Sequence, residues 1–155
     1  MIKKAAAILA TVILFCSLAN NAFSEQLKKQ SQTVYVSAYP QVFMGPRGTD
    51  FDLGITLLLR NTDFKSPVTI TAVDYYDTQG KLTKKYLSSQ LIINPMASKD
   101  IHITERDTSG GMGSNFIVRW KAEKEVNPPV IEAVMIGGKG GQGISFISPG
   151  KEISE

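Results

Sequence analysis

The chain has 155 residues, of which 43% are hydrophobic, 20% charged and 8% aromatic. Those proportions exclude a disordered chain, a coiled coil and a multi-pass membrane protein, and the length suits one domain. Lys plus Arg number 17 against 14 Asp plus Glu, a net charge of +3. A balance so near neutrality gives no electrostatic ground for nucleic-acid binding, whose affinity comes from many cations meeting phosphates.

Residues 1–24 read as a secretory signal. Lys3 and Lys4 form the charged start, residues 5–19 are an uncharged, mostly apolar run, and Ala22-Phe23-Ser24 supplies small residues at the two positions that govern cleavage. A run of that length rises only about 22 Å as a helix, against a hydrocarbon core of about 30 Å, which disfavours a permanent membrane span. The expected mature chain starts at Glu25 and, without Lys3 and Lys4, carries about +1. Cys16, the single cysteine, sits inside the run after Phe15, where a lipid-modified signal needs a small residue. The mature chain is therefore expected to lack both lipid anchor and disulfide, and to depend on a packed core. The expected location is periplasmic or secreted.

A polar lead over residues 25–32 is followed by a single domain over 33–150 and a short tail over 151–155. No apolar pattern of helical period and length occurs; short β-type runs separated by Gly, Pro, Asn and Asp fill the domain. The clearest strand is residues 51–60, with Phe51, Leu53, Ile55, Leu57 and Leu59 on one face and Leu58 breaking the alternation. Val68, Ile70 and Ala72 oppose Thr69 and Thr71, and Phe116, Val118 and Trp120 oppose Arg119 and Lys121. Residues 130–136 are apolar on nearly both sides, as in a central strand. Residues 33–38, 81–87, 91–93, 101–105 and 143–148 complete the candidates. The set predicts an all-β, two-sheet antiparallel sandwich of immunoglobulin-like type, with a small β-barrel as the alternative.

If consecutive strands reverse direction, the loops near 44–49, 77–80, 107–114 and 138–142 share one end, which holds 11 of the 13 glycines. The opposite end collects Pro67, Pro95, Pro128 and Pro129. One end is expected to be adaptable and the other stiff. A split of the fourth run at Ser88 and Ser89 would move the first two loops to the other end.

The glycine-rich end supplies the candidate ligand site. In Asp107-Thr108-Ser109-Gly110-Gly111-Met112-Gly113-Ser114-Asn115, successive N–H groups suit an anion nest with Asp107 and Asn115 fixing its two ends and Ser109, Gly110 and Gly111 between them, although a structural turn explains the same residues. Lys139, among Gly137, Gly138, Gly140, Gly141 and Gly143, offers a second anion cradle or a plain hairpin tip.

Asp74 and Glu132 interrupt apolar faces. A buried unpartnered carboxylate is costly, so structural pairing with Arg60 or Arg119 is expected, and a glycosidase pair is the alternative. His102, the sole histidine, is expected to face solvent between Ile101 and Ile103, and it cannot assemble a His/Cys zinc site or a serine triad alone. Calcium needs only oxygens, and Asp50, Asp52, Asp77 and Asp107 offer them near the glycine-rich end, but calcium-loop spacing is missing; no metal or cofactor is the expectation, with calcium as the alternative. Tyr35, Tyr39, Tyr75, Tyr76 and Tyr86 suit sheet positions or a sugar-stacking platform.

Arg60-Asn61-Thr62-Asp63, residues 71–77, Asp107-Thr108-Ser109-Gly110-Gly111, Asn115-Phe116-Ile117-Val118, residues 127–137 and residues 141–146 together resemble a family of short exported bacterial proteins known only as a domain of unknown function. The resemblance spans residues 34–150. It implies a bacterial envelope protein and assigns no catalytic residue. The expected function is a non-catalytic binding or interaction module of the envelope, acting through its glycine-rich end on an unknown envelope protein or small ligand. A carbohydrate-active enzyme and a structural subunit that adds an edge strand to a neighbour's sheet are the alternatives.

Overall fold

The computed structural model describes residues 27–154; the expected leader, Glu25 and Gln26 lie outside the described residues. The described residues form twelve strands and no helix. They are β1 (Lys29–Ser37), β2 (Gln41–Met44), β3 (Thr49–Asp52), β4 (Gly54–Arg60), β5 (Val68–Tyr76), β6 (Leu82–Lys85), β7 (Leu91–Ile93), β8 (Ser98–Ile103), β9 (Asn115–Val126), β10 (Val130–Lys139), β11 (Gln142–Pro149) and β12 (Lys151–Ile153). β1 starts inside the segment read as a polar lead, and β12 lies in the segment read as a tail and pairs with β1.

All ladders are antiparallel. A six-stranded sheet has the order β12-β1-β9-β5-β6 with β7 also on β5, a four-stranded sheet has the order β11-β10-β4-β8, and β2-β3 is a ribbon. Alternation decides what each strand buries. Val34 and Val36 on β1, Val73 and Tyr75 on β5, and Phe116, Val118 and Trp120 on β9 join Ile55, Leu57 and Leu59 on β4 and Ile131, Ala133 and Met135 on β10 in one core cluster. Both larger sheets thus contribute to the same core.

The run 51–60 buries the predicted face but breaks at Leu53, whose N–H donates to the Pro40 carbonyl at 2.8 Å. On β5 a bulge between Ile70 and Ala72 moves the buried set from Val68 and Ile70 to Val73 and Tyr75. Asp74 is thereby turned to the outward face, away from the phase that the sequence implied. β10 is central, as its composition suggested, yet only one of its faces is dry: Val130 and Ile136 are exposed.

The pairings Ser37↔Asn115 and Tyr76↔Asn115, with Gly54↔Ile136 and Ile55↔Ile103, align the glycine-bearing loops at one end. Lys29↔Val126, Arg60↔Val130, Arg60↔Ser98 and Val68↔Ile93 align the proline-bearing loops at the other. Ser88 and Ser89 do interrupt the fourth run. β6 and β7 nevertheless both run antiparallel to β5, so the chain keeps its direction and the grouping of loops stands.

At the proline-bearing end, Ala97 N–H donates to Asn94 O at 3.0 Å around Pro95 and Met96, and Met96 has φ 60°, alone among the described non-glycine residues. This is a type II turn with a side chain where glycine fits best. Met96→Gly is expected to raise the unfolding free energy by about 0.5–1 kcal/mol, read as a higher urea midpoint at unchanged slope.

Candidate functional site

The loop over residues 107–115 is held by bonds to itself and to its neighbours. Asp107 Oδ1 accepts from Ser109 N at 3.2 Å and Ser109 Oγ at 2.6 Å, Gly111 N donates to Thr108 O at 3.0 Å, and Ser114 N donates to Gly111 O at 3.2 Å. Gly113 N donates to Thr78 Oγ1 at 3.0 Å. Gly110 O receives Thr78 N at 2.9 Å and Thr78 Oγ1 at 3.1 Å. Four amides of this loop, those of Ser109, Gly111, Gly113 and Ser114, are therefore committed within the fold, which leaves fewer of them for an anion nest around Asp107, Ser109, Gly110 and Gly111. Asn115 opens β9, paired in register with Ser37 and Tyr76.

Beneath the loop, Tyr75 Oη donates to Ser114 Oγ at 2.9 Å, Ser114 Oγ donates to Ala38 O at 3.0 Å, and Ala38 N returns a bond to Ser114 O at 2.9 Å. Burial raises the Tyr75 phenol above its usual range, the Ser114 bond opposing it, and burial pushes Tyr86 up to about 12. A Cβ on Gly110 would lie 2.1 Å from Tyr75 Oη and 2.7 Å from Ser114 Cβ. Gly110→Ala is therefore expected to displace Tyr75 and to unlock the clasp. The expected result is a loss of about 2 kcal/mol in urea unfolding, with the fluorescence of the Tyr75 cluster altered.

The two carboxylates meet arginines. Arg119 Nη1 lies 3.1 Å from Asp74 Oδ2, and Arg60 Nε lies 3.5 Å from Glu132 Oε1. Asp74 is on the outward face of the six-stranded sheet and Glu132 on that of the four-stranded sheet, so the core separates them. A glycosidase needs both carboxyl groups across one cleft, and this placement does not supply it. His102 is exposed on β8, with its Nδ1 3.2 Å from Thr56 Oγ1. No group of three metal-ligating acids or histidines occurs among the described residues. The tyrosines do not form one platform: Tyr75 and Tyr86 pack with Phe116, while Tyr39 packs on Phe146.

What remains at the glycine-bearing end is a shallow cleft of about 430 Å³ between the β2-β3 ribbon and the tip of β10-β11, lined by Met44, Gly45, Thr49, Asp50, Phe51, Lys139 and Gln142. The tip is a two-residue turn, Gly140-Gly141, with both residues at positive φ as a type I′ turn requires. Lys139 pairs in register with Gln142 at the base of this turn, so it stands at the rim of the cleft.

The opposite end holds a polar knot that the sequence did not single out as a site. Asn61 is buried, and its Nδ2 lies within 2.9 to 3.1 Å of the carbonyls of Ser66, Ile93 and Asn94, while its Oδ1 accepts from Asp63 N at 2.9 Å. Asp63 Oδ1 accepts from Lys65 N and Ser66 N, both at 2.9 Å, and Oδ2 accepts from Asn127 N at 3.1 Å. Three loops converge on these two side chains. The signal available in the sequence was Asn61-x-Asp63 directly after a strand, a pattern of side chains that bond backbone two residues on.

The amide donors of Lys65, then Asn127, hold the Asp63 carboxyl below the usual carboxylate range against the opposing effect of burial. Because the folded pKa is the lower one, the bond network stabilises the protein above the unfolded pKa of about 4, and this contribution is lost as pH falls through the folded value. Unfolding midpoints are expected to drop as the pH falls below about 4, with a shallower drop in Asp63→Asn.

The family described as "Protein of unknown function (DUF3124)" matches residues 31–153. The chain belongs to that family. No curated protein matches the chain. Among solved structures, the crystal structure of Thermotoga maritima 1070 is similar with a TM-score of 0.48 at 10% identity, covering 79% of this chain and 95% of that one. In this DUF3124 chain the stretches that carried the resemblance fall on the knot (Asn61, Asp63, Asn127), on the clasp (Tyr75, Gly110) and on β10 and β11. Their first physical role here is to tie loops and pack strands.

Proposed function

We propose that the protein is an exported, non-catalytic binding module of the bacterial envelope, built as an immunoglobulin-like sandwich, that takes its ligand or partner in the cleft between the β2-β3 ribbon and the β10-β11 tip. The observation that carries this reading is the contrast at the glycine-bearing end. Four amides of the 107–115 loop, those of Ser109, Gly111, Gly113 and Ser114, are used internally, whereas the cleft beside Lys139 keeps a cation and an acid in Asp50 on an open surface, with the core residue Phe51 lining it. The charged start and apolar run of residues 3–19 support export. The common core beneath both larger sheets supports the sandwich.

Affinity capture from envelope extract, followed by mass spectrometry, tests the cleft. Lys139→Glu is expected to lose what the unaltered protein captures while Lys121→Glu, on a strand far from the tip, retains it; equal capture by both variants rejects the cleft. Gly110→Ala is unsuitable for this test because it disturbs the fold itself.

A further inference from the structure

We infer that β11 is a self-association edge, pairing antiparallel with β11 of a second copy of this chain across a two-fold axis at Ser145 to join the two four-stranded sheets. This inference deepens the structural-subunit alternative and does not rest on the proposed cleft.

β11 is the edge strand of the four-stranded sheet and is eight residues long. The other edges of the two larger sheets are blunted: β12 carries Lys151 and Glu152, β6 carries Lys84 and Lys85, β8 carries Lys99 and Asp100, and β7 has only three residues. Charge and brevity are how sheets avoid pairing with other chains. β11 reads Gln142-Gly143-Ile144-Ser145-Phe146-Ile147-Ser148-Pro149, with no ionisable side chain.

The backbone polarity of this edge follows from its register. Gly150 N donates to Ile131 O at 2.8 Å, and the ladder pairs Lys139 with Gln142 and Met135 with Phe146. In an antiparallel pair, alternate residues point their N–H and C=O groups at the partner strand. Even-numbered residues of β11 therefore face β10, and Gly143, Ser145 and Ile147 present theirs to the free side. Among the described residues no backbone bond beyond this ladder reaches those three. A row of aligned donors and acceptors is met by another strand and not by a compact ligand.

A two-fold axis normal to the sheet keeps each face on its own side, so residues of equal parity must meet. With Ser145 opposite its own copy, Gly143 meets Ile147 on the outward face and Ile144 meets Phe146 on the inward face. Three donors from each copy are satisfied at once, no like charges oppose, and the exposed Ile147 covers the bare backbone of Gly143. Ile136 and Val134, next to Ser145 and Ile147 in the ladder, continue the apolar outward stripe up to the axis.

Sedimentation of the protein purified from cells expressing the full chain tests the pairing. The unaltered protein is expected to be a reversible dimer. Ser145→Pro is compatible with an edge whose N–H faces outward. It removes both central donors and is expected to weaken the dimer about thirtyfold, the net effect of two hydrogen bonds. Ser145→Lys, which sets like charges opposite each other without touching the β10 ladder, is expected to weaken it about fivefold, less so at high salt. A monomer at about 100 µM would overturn the inference, as would a dimer that both variants leave intact. Binding in the Lys139 cleft is read separately, by capture, and neither result decides the other.

Discussion

Asn61→Ala is expected to lower the unfolding free energy by about 3–4 kcal/mol, among the largest losses available to a single polar substitution in this chain. The side chain is 2% exposed and is the common donor for carbonyls from two separate loops, those of Ser66 and of Ile93 and Asn94. Truncation leaves these carbonyls and Asp63 N without their partner in a place closed to bulk water. The loss extends further, because Asp63 is oriented by that last bond and in turn holds Lys65, Ser66 and Asn127. Urea unfolding checks it: the midpoint falls while the slope stays constant. A change below about 1 kcal/mol would mean that the knot is not a structural unit. Asn61→Asp keeps the acceptor for Asp63 N, removes the donors and sets a second carboxylate beside Asp63, so it is expected to be at least as damaging.

Gly137→Ala is expected to cost about 2–4 kcal/mol, whereas Gly138→Ala, one residue on, costs under about 0.5 kcal/mol. A Cβ at Gly137 would meet the Asp52 carbonyl oxygen at 2.5 Å, Leu53 Cδ2 at 2.6 Å and Phe51 Cε1 at 2.9 Å. The first of these is backbone, so relief requires the whole corner between β3 and β4 to move off β10, taking two core side chains with it. At Gly138 the nearest atom is Gln142 O at 3.7 Å, ordinary contact. Paired thermal melts separate the two, and equal stability of the variants would contradict the close approach. The same contrast explains why glycines crowd residues 137–143: Gly140 and Gly141 serve the turn, while Gly137 serves packing.

The sequence by itself determined that the protein is all-β and where most strands lie, because burying one face of a pleated ribbon imposes a two-residue period that Ile55, Leu57 and Leu59 or Phe116, Val118 and Trp120 display directly. Asp74 and Glu132 against Arg119 and Arg60 were also legible, since a charge beside an apolar face needs a counter-charge. The bulge after Ile70 and the strands β1 and β12 reaching past the expected domain edges were not, for each depends on a partner strand remote in sequence. Only the tertiary structure decided the fate of the glycine-rich loop. Gly113 N looked free in the sequence because its acceptor, the Thr78 hydroxyl, lies 35 residues away, and the same residue bonds the Gly110 carbonyl. The knot on Asn61 and Asp63 and the open edge of β11 were hidden for the same reason: a hydrogen bond, or the lack of one, is a property of which strands and loops become neighbours, and local residue order does not encode that.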